Sequence, residues 1–565
     1  DPRAAMRAVS TFGSAPKTTS CERSWPSLRG HPPRVELGDE LSIPDGLDAP
    51  ESGVTLRVPP DYEYVFAAAP LAYYFGATVV PGERPTLTTD DGFEHRFDAG
   101  RGFEDEAIQF LKRAFVLDCV VRTEGFHPMN LHERRLLEAN PAVDLDFAAL
   151  YDASLGDQLD AYRSVPDEAL REATPTWHRV THVRPEGEAV ELLPYVVNDL
   201  SLVRVESPAV DRQPVRRADS APDSDADRDA VDSFKRGLPA AERHDAGVPD
   251  PDEYVPLPES DAVERAWVGE GTPVHGAKLL RAAFDHDRTE PTDGVVDVTV
   301  VCNDEGMREE WDAVSDAYGT GEADGVAPFD VDCRFGVSTD DLRDLLADAH
   351  DVFHFVGHVD GRGLQCPDGV LDAETVDRTG ATTVLLNACR SHDQGVALVE
   401  AGARAAIVSW ADVDNDGAVE VGETFARLLD YGFTVGGALE IVEEFTAIGR
   451  HYVVVGDPGV TVAQCVDNNP LWCRVAGDAD DPPAAGEAVD VTVTTQTTRQ
   501  IGIGGVNEPY FPRESGADFY LIPGELATFT NTGAELRDVI GDHSVAVDVD
   551  GTLQWSTEWF DAGEE

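Results

Sequence analysis

Between residues 295 and 456 the chain repeats one pattern of apolar and polar positions. Runs such as VVDVTVVC (295–302), DVFHFVGH (351–358), TTVLLNAC (382–389), RAAIVSW (404–410) and HYVVVG (451–456) predict strands buried on both faces. DVDCRFGVS (330–338) adds a further strand. The stretches between them place apolar residues at helical spacing: 305–319, 339–350 with Thr339 as its cap, 393–403, 419–432 and 434–448. Alternation of this kind predicts a mostly parallel sheet with helices on both faces, an α/β sandwich.

The flanks read differently. Residues 51–205 predict an α+β domain, with a hairpin over 85–98 around Asp90-Asp91-Gly92 and a helix over 103–125. Residues 206–265 are rich in Asp, Ser and Pro and read as an acidic linker before a unit spanning 266–475. Residues 476–565 carry short β-rich runs punctuated by Gly, Asn and Asp, which predicts a small β-sandwich. Residues 1–50 lack periodicity, and residues 1–35 hold six bases against two acids. They are expected to be a disordered leader, with a targeting segment as the alternative. The chain opens on Asp1, so its native start is expected upstream.

Charge narrows the setting. The 565 residues include 107 Asp and Glu against 44 Lys and Arg, a formal net charge of -63, and only four of the bases are lysines. Such a surface suits molar salt, where the Debye length falls to about 3 Å and self-repulsion is screened. The expectation is a cytoplasmic protein of a salt-accumulating, archaeal halophile. A polyanion of this kind excludes nucleic acid and anionic membrane as main partners, because phosphate binding needs a basic footprint. No apolar run reaches the roughly 18 residues of a membrane span, and eight cysteines make no disulfide framework.

Two of the central strands end in reactive side chains, His358 and Cys389. Sites in parallel sheets lie beyond the carboxyl ends of the strands. If these two strands are neighbours, imidazole and thiol share a cleft, and His358 can serve as acid and base to a nucleophilic Cys389. The amide of Cys389, near a helix start, suits an oxyanion. A thiol at a strand end also fits plain core packing.

The segment from Asp351 to Gly432 resembles the CHAT domain, a caspase-like cysteine peptidase domain. The resemblance rests on an apolar strand ending in His358, DGVL (368–371), NAC (387–389), EAGARAAIVSWADVD (400–414) and GDPG (456–459), in the family's order over about 200 residues. It implies a caspase-type fold and endopeptidase activity on a protein substrate through His358 and Cys389. It also implies an oxyanion hole from the amides of Cys389 and of the residue after the histidine. That residue is usually Gly and is Val359 here. The position that holds an acid in Arg-specific relatives is Asn387, so a strict Arg or Lys pocket is not implied. Asp360, Ser409, Trp410 and Asp412 complete the candidate substrate pocket, with Asp414 a further source of negative charge.

DVDNDGAVEVGE (412–423) also fits a calcium loop by letter, with Asp412, Asp414, Asp416 and Glu423 as ligands; helix capping and solvation are the plainer reading. Otherwise no cofactor is expected. Cys366 and His392 lie close enough in sequence to reach the cleft, with packing and solvent exposure as their plainer roles. The leading expectation is a salt-adapted cysteine endopeptidase regulated by its flanking domains. The rival is an inactive relative that serves as a protein-binding scaffold. Substrate, trigger and oligomeric state stay open.

Overall fold

The computed structural model describes residues 1–47, 51–206, 254–286, 294–304, 307, 329–359, 362–413, 415–446, 448–465, 469–498, 500–511, 519–542 and 544–562. Most of the expected helix 305–319 and the acidic stretch 207–253 lie outside these residues.

The chain is mixed α/β around one ten-stranded sheet. Its strands run in the spatial order Phe329–Phe335, Val296–Cys302, His350–Val356, Ala381–Asn387, Ala405–Ser409, Tyr452–Gly456, Ala277–Lys278, Glu264–Val268, Arg179–Val183, Leu202–Val205. The first five are mutually parallel and so are the last five; the halves meet in the antiparallel pair Ala405–Ser409 and Tyr452–Gly456. Alternate residues of each central strand feed different cores, as a period of two requires. Val352, Val356, Leu385 and Ile407 join a core with Phe425, Leu429 and Val442, from the helices Asn415–Asp430 and Val435–Phe445. Phe353, Phe355, Leu386 and Val408 join the opposite core with Leu342, Leu346 and Leu398, from Thr339–Ala347 and His392–Glu400. The cap of Thr339–Ala347 is Ser338, whose side chain accepts from the Asp341 amide, one residue before the expected Thr339. The outermost strand Phe329–Phe335 carries Asp330, Asp332 and Arg334, charges that suit an unpaired edge.

This one sheet draws strands from more than one of the expected units. Arg179–Val183, from the expected N-terminal domain, pairs with Leu202–Val205 on one side and on the other with Glu264–Val268, which straddles the end of the expected linker. A separate four-stranded sheet, Thr78–Pro81, Val54–Val58, Thr86–Thr89, Glu94–Arg96, holds the predicted hairpin, and Phe103–Val121 is the predicted helix.

Residues 1–30 are not a loose leader. Pro2–Ser10 is a helix that buries Met6 and Val9, and Phe12 and Cys21 follow them into the same core. Two of the six bases that suggested disorder, Arg23 and Arg29, are themselves buried. Arg23 meets Asp118 at 2.7 Å, and Asp118 also accepts from the hydroxyls of Tyr74 and Tyr162. Arg29 donates to the carbonyls of Ser24 and Ile503. A guanidinium offers five donors in a rigid fork, so such burial is tolerated when carbonyls and a carboxylate line it.

The C-terminal unit is one five-stranded sheet rather than a sandwich: Gly524–Thr532, Ala488–Thr495, Leu471–Val475, Ala546–Val549, Thr552–Trp555. It begins at Leu471, inside the expected central unit. Its buried face is covered by helices Gly533–Ile540 and Ser556–Ala562, through Leu536, Ile540, Trp559 and Phe560. The sequence does carry a start signal for the first of these: Thr532 and Glu535 form a capping box.

Candidate active site

Three neighbouring strands end level with one another. Cys302 pairs with Val356, and Val356 with Asn387. Two residues beyond that row stand Asp304, His358 and Cys389. The parallel register thus brings a carboxylate, an imidazole and a thiol to the carboxyl edge of the sheet, in that spatial order.

Asp304 holds the histidine, its Oδ2 lying 2.9 Å from His358 Nε2, with the two side chains 32% and 47% exposed. The backbone beneath is fixed as well. The Gly357 amide reaches the Asn387 carbonyl at 3.5 Å, and the His358 carbonyl accepts from Gln365 at 2.9 Å. A Cβ at Gly357 would lie 2.9 Å from the Phe355 ring, so a larger residue there requires that ring to move. Val359 bridges to Leu364.

Cys389 sits in a turn knitted to the next strand. Arg390 is left-handed at φ 52°, a strained setting for a residue with a side chain. Its amide donates to the Ala411 carbonyl at 3.2 Å. Ser391 Oγ donates to Leu386 O at 3.1 Å and accepts from the Ser409 amide at 3.0 Å, while Ser409 Oγ donates to Ala388 O at 2.6 Å. The half-buried thiol donates to the Val413 carbonyl and accepts from the Val413 amide, both at 3.3 Å. Burial pushes the thiol pKa up; the Val413 amide opposes this, Asp412 adds to it and Arg390 opposes it. The thiol is thus bonded to Val413 and the imidazole to Asp304, not to each other.

The remaining candidates are dispersed. Asn387 is buried, donates to Ala418 O at 2.8 Å and accepts from the Tyr452 hydroxyl, so it lies in the core and not in a pocket. Ser409 is buried too and braces the cysteine turn. Trp410 donates from Nε1 to Arg450 O at 3.0 Å and stands edge-on to Tyr254 at 5.3 Å. Asp412 pairs with Arg390 at 2.8 Å. Asp360 and Asp414 lie outside the described residues. Asn415–Asp430 is a helix that takes in Asp416 and Glu423, and Glu423 pairs with Arg427 at 2.7 Å. Among the described residues no group of three or more His, Cys, Asp or Glu is placed to hold a metal. His392 is buried rather than exposed, beside Thr272 and Asp393. Cys366 lies 3.4 Å from the Asn303 amide, one residue from Asp304, and burial raises its pKa to about 11.

Asp304 is absent from the sequence reading. Its only signal is position: an acid two residues after the apolar run 295–302, past the end of a third strand. That signal gains meaning only once the register of the three strands is known.

No family model matches the chain, and no curated protein matches it. Among solved structures it aligns with gingipain R, described as an Arg-specific cysteine proteinase, at 13% identity and a TM-score of 0.30, over 66% of this chain and 98% of that one. It aligns with the Saccharomyces cerevisiae separase–securin complex at 12% identity and a TM-score of 0.23. The latter match covers 30% of this chain and 12% of that one. No helix among the described residues is long and apolar enough to cross a membrane.

Proposed function

We propose that the chain is a caspase-like cysteine endopeptidase acting on a protein substrate. The observation that carries this reading is the level placement of Asp304, His358 and Cys389 on three adjacent parallel strands. With Nε2 bonded to Asp304, the Nδ1 lone pair of His358 is the base. It takes the thiol proton as Cys389 sulfur attacks the scissile carbonyl carbon, and the carbonyl oxygen becomes the oxyanion. Backbone amides of Cys389 and Val359 are our candidates to receive that oxyanion. Collapse breaks the C–N bond, and His358 gives its proton to the leaving amine. Water then hydrolyses the thioester with His358 again as base. Asp304 orients the imidazole and stabilises its charged form. Buried Asn387 supplies no charge for a basic P1 side chain, and we assign no P1 preference.

A second reading, an inactive scaffold of the same fold, draws on the thiol's two bonds to Val413. Incubation with an unstructured protein substrate in molar KCl, with Cys389→Ala as control, separates them. Cleavage that depends on Cys389 supports the peptidase, and its absence under conditions that uncap the thiol supports the scaffold. Molar KCl follows from the net charge of -63.

A further inference from the structure

We propose that Trp410–Val413 is a cap that holds Cys389 in an unreactive state, and that displacing it is the step that presents the thiol to His358. This rests on the reading of Cys389 as the nucleophile.

The cap is seen from the sulfur outward. One residue, Val413, both receives the thiol proton at its carbonyl and donates its amide to the sulfur, and it is the carbonyl contact that holds the proton on sulfur. A thiol that donates its proton to a carbonyl in a half-buried site is kept from the thiolate form that reacts. The segment bearing Val413 has no helix or strand of its own and is held by side bonds. Arg390 Nε and Nη2 reach the Asp412 carboxylate at 2.8 and 3.1 Å. His451 Nδ1 lies 2.9 Å from the Asp412 carbonyl, and the Trp410 amide donates to the His451 carbonyl at 2.9 Å. The Tyr254 hydroxyl donates to the Trp410 carbonyl at 3.2 Å. The Val413 side chain is buried with Val421 and Phe425 and Trp410 packs on the opposite core, while the polar contacts of Asp412 are partly exposed, so displacement is a local opening that lifts Val413 from its core site. The Arg390–Asp412 pair is 31% and 54% exposed, so it is open to competition from an incoming substrate or partner. Tyr254 also lies on the strand Tyr254–Pro256, which pairs with Thr272–Val274, and Thr272 reaches His392 at the start of the helix after the cysteine. One short strand pair therefore touches both the cap and the helix that follows the thiol.

The test is the rate at which iodoacetamide alkylates Cys389 in the full-length protein, read by mass spectrometry of its peptide. Arg390→Gln, Asp412→Asn and Tyr254→Phe each loosen the cap, and all three are expected to speed alkylation, Arg390→Gln by about threefold or more as the open fraction rises. Charge alone gives opposite signs for the first two, because loss of the Arg390 cation slows thiolate formation and loss of the Asp412 anion speeds it. Arg390→Gln at or below the wild-type rate overturns the cap. Buried Cys119 and Cys473 in the same digest report on the rest of the fold. Acceleration confined to Cys389 supports the cap, and equal acceleration of all three counts against it. The peptidase reading fails separately: if His358→Ala leaves alkylation unchanged in the Arg390→Gln background, the imidazole does not activate the thiol, while the cap stands.

Discussion

Across the ends of two adjacent parallel strands, the carboxylate of Asp304 meets the imidazole of His358 at 2.9 Å. In the proposed mechanism this contact fixes which ring nitrogen carries a proton and leaves the other to act on the thiol. Asp304→Asn keeps the shape and removes the charge that stabilises the imidazolium. The expected outcome is a fall in kcat/KM of about 10- to 100-fold with an unchanged melting temperature; a change within about twofold removes Asp304 from the mechanism.

Arg23 and Asp118 are buried together, and Asp118 also receives two tyrosine hydroxyls. Arg23→Ala leaves that carboxylate without its cation in the core. The expected loss is about 3–5 kcal/mol in chemical denaturation. A loss under about 1 kcal/mol would mean that residues 1–30 are the dispensable leader their composition suggested.

Glu133 accepts from the Leu521 amide at 2.9 Å, and burial raises its pKa to about 7 from 4.5. A carboxyl raised on folding binds more protons in the native state, so its contribution to stability declines as pH rises from about 4.5 to 7 and is flat above that. Glu133→Gln removes this slope. Denaturation midpoints are expected to match wild type near pH 4 and to exceed it at pH 8, by up to about 3 kcal/mol. Parallel curves would contradict the assignment.

Asp416 and Glu423 of the calcium-like spacing lie on the helix Asn415–Asp430, and Glu423 is paired with Arg427. Chelation with EGTA is expected to leave both peptidase rate and melting temperature unchanged. A drop in either that calcium restores would reinstate the loop.

Legibility in the sequence followed burial. Strands such as Ala381–Asn387 and Tyr452–Gly456 are buried on both faces, so a continuous apolar run marks them, and the α/β alternation around His358 and Cys389 was readable from it. Pairing between distant segments was not readable. Arg179–Val183 joins Glu264–Val268 across the acidic stretch, a relation that no local pattern encodes. Asp304 was hidden for the same reason, since its role depends on register, and an acid in so acidic a chain carries no weight by itself. Buried arginines inverted their usual meaning: Arg23 and Arg29 read as solvated because their partners, Asp118 and Ile503, lie far along the chain. Proximity to the motif in sequence does not by itself give facing. Asn387 points into hydrogen bonds with Ala418 and Tyr452.

The central claim is that Cys389 and His358 cut peptide bonds. Its most direct measurement is cleavage of a mixed peptide library in molar KCl, read by mass spectrometry, by wild type, Cys389→Ala and His358→Ala in the uncapped Arg390→Gln background. The account expects new peptide termini with the active dyad, and a fall of about a thousandfold or more in their rate of appearance with either single substitution. Cleavage that persists in Cys389→Ala, or no cleavage by the uncapped protein with both residues intact, would contradict it.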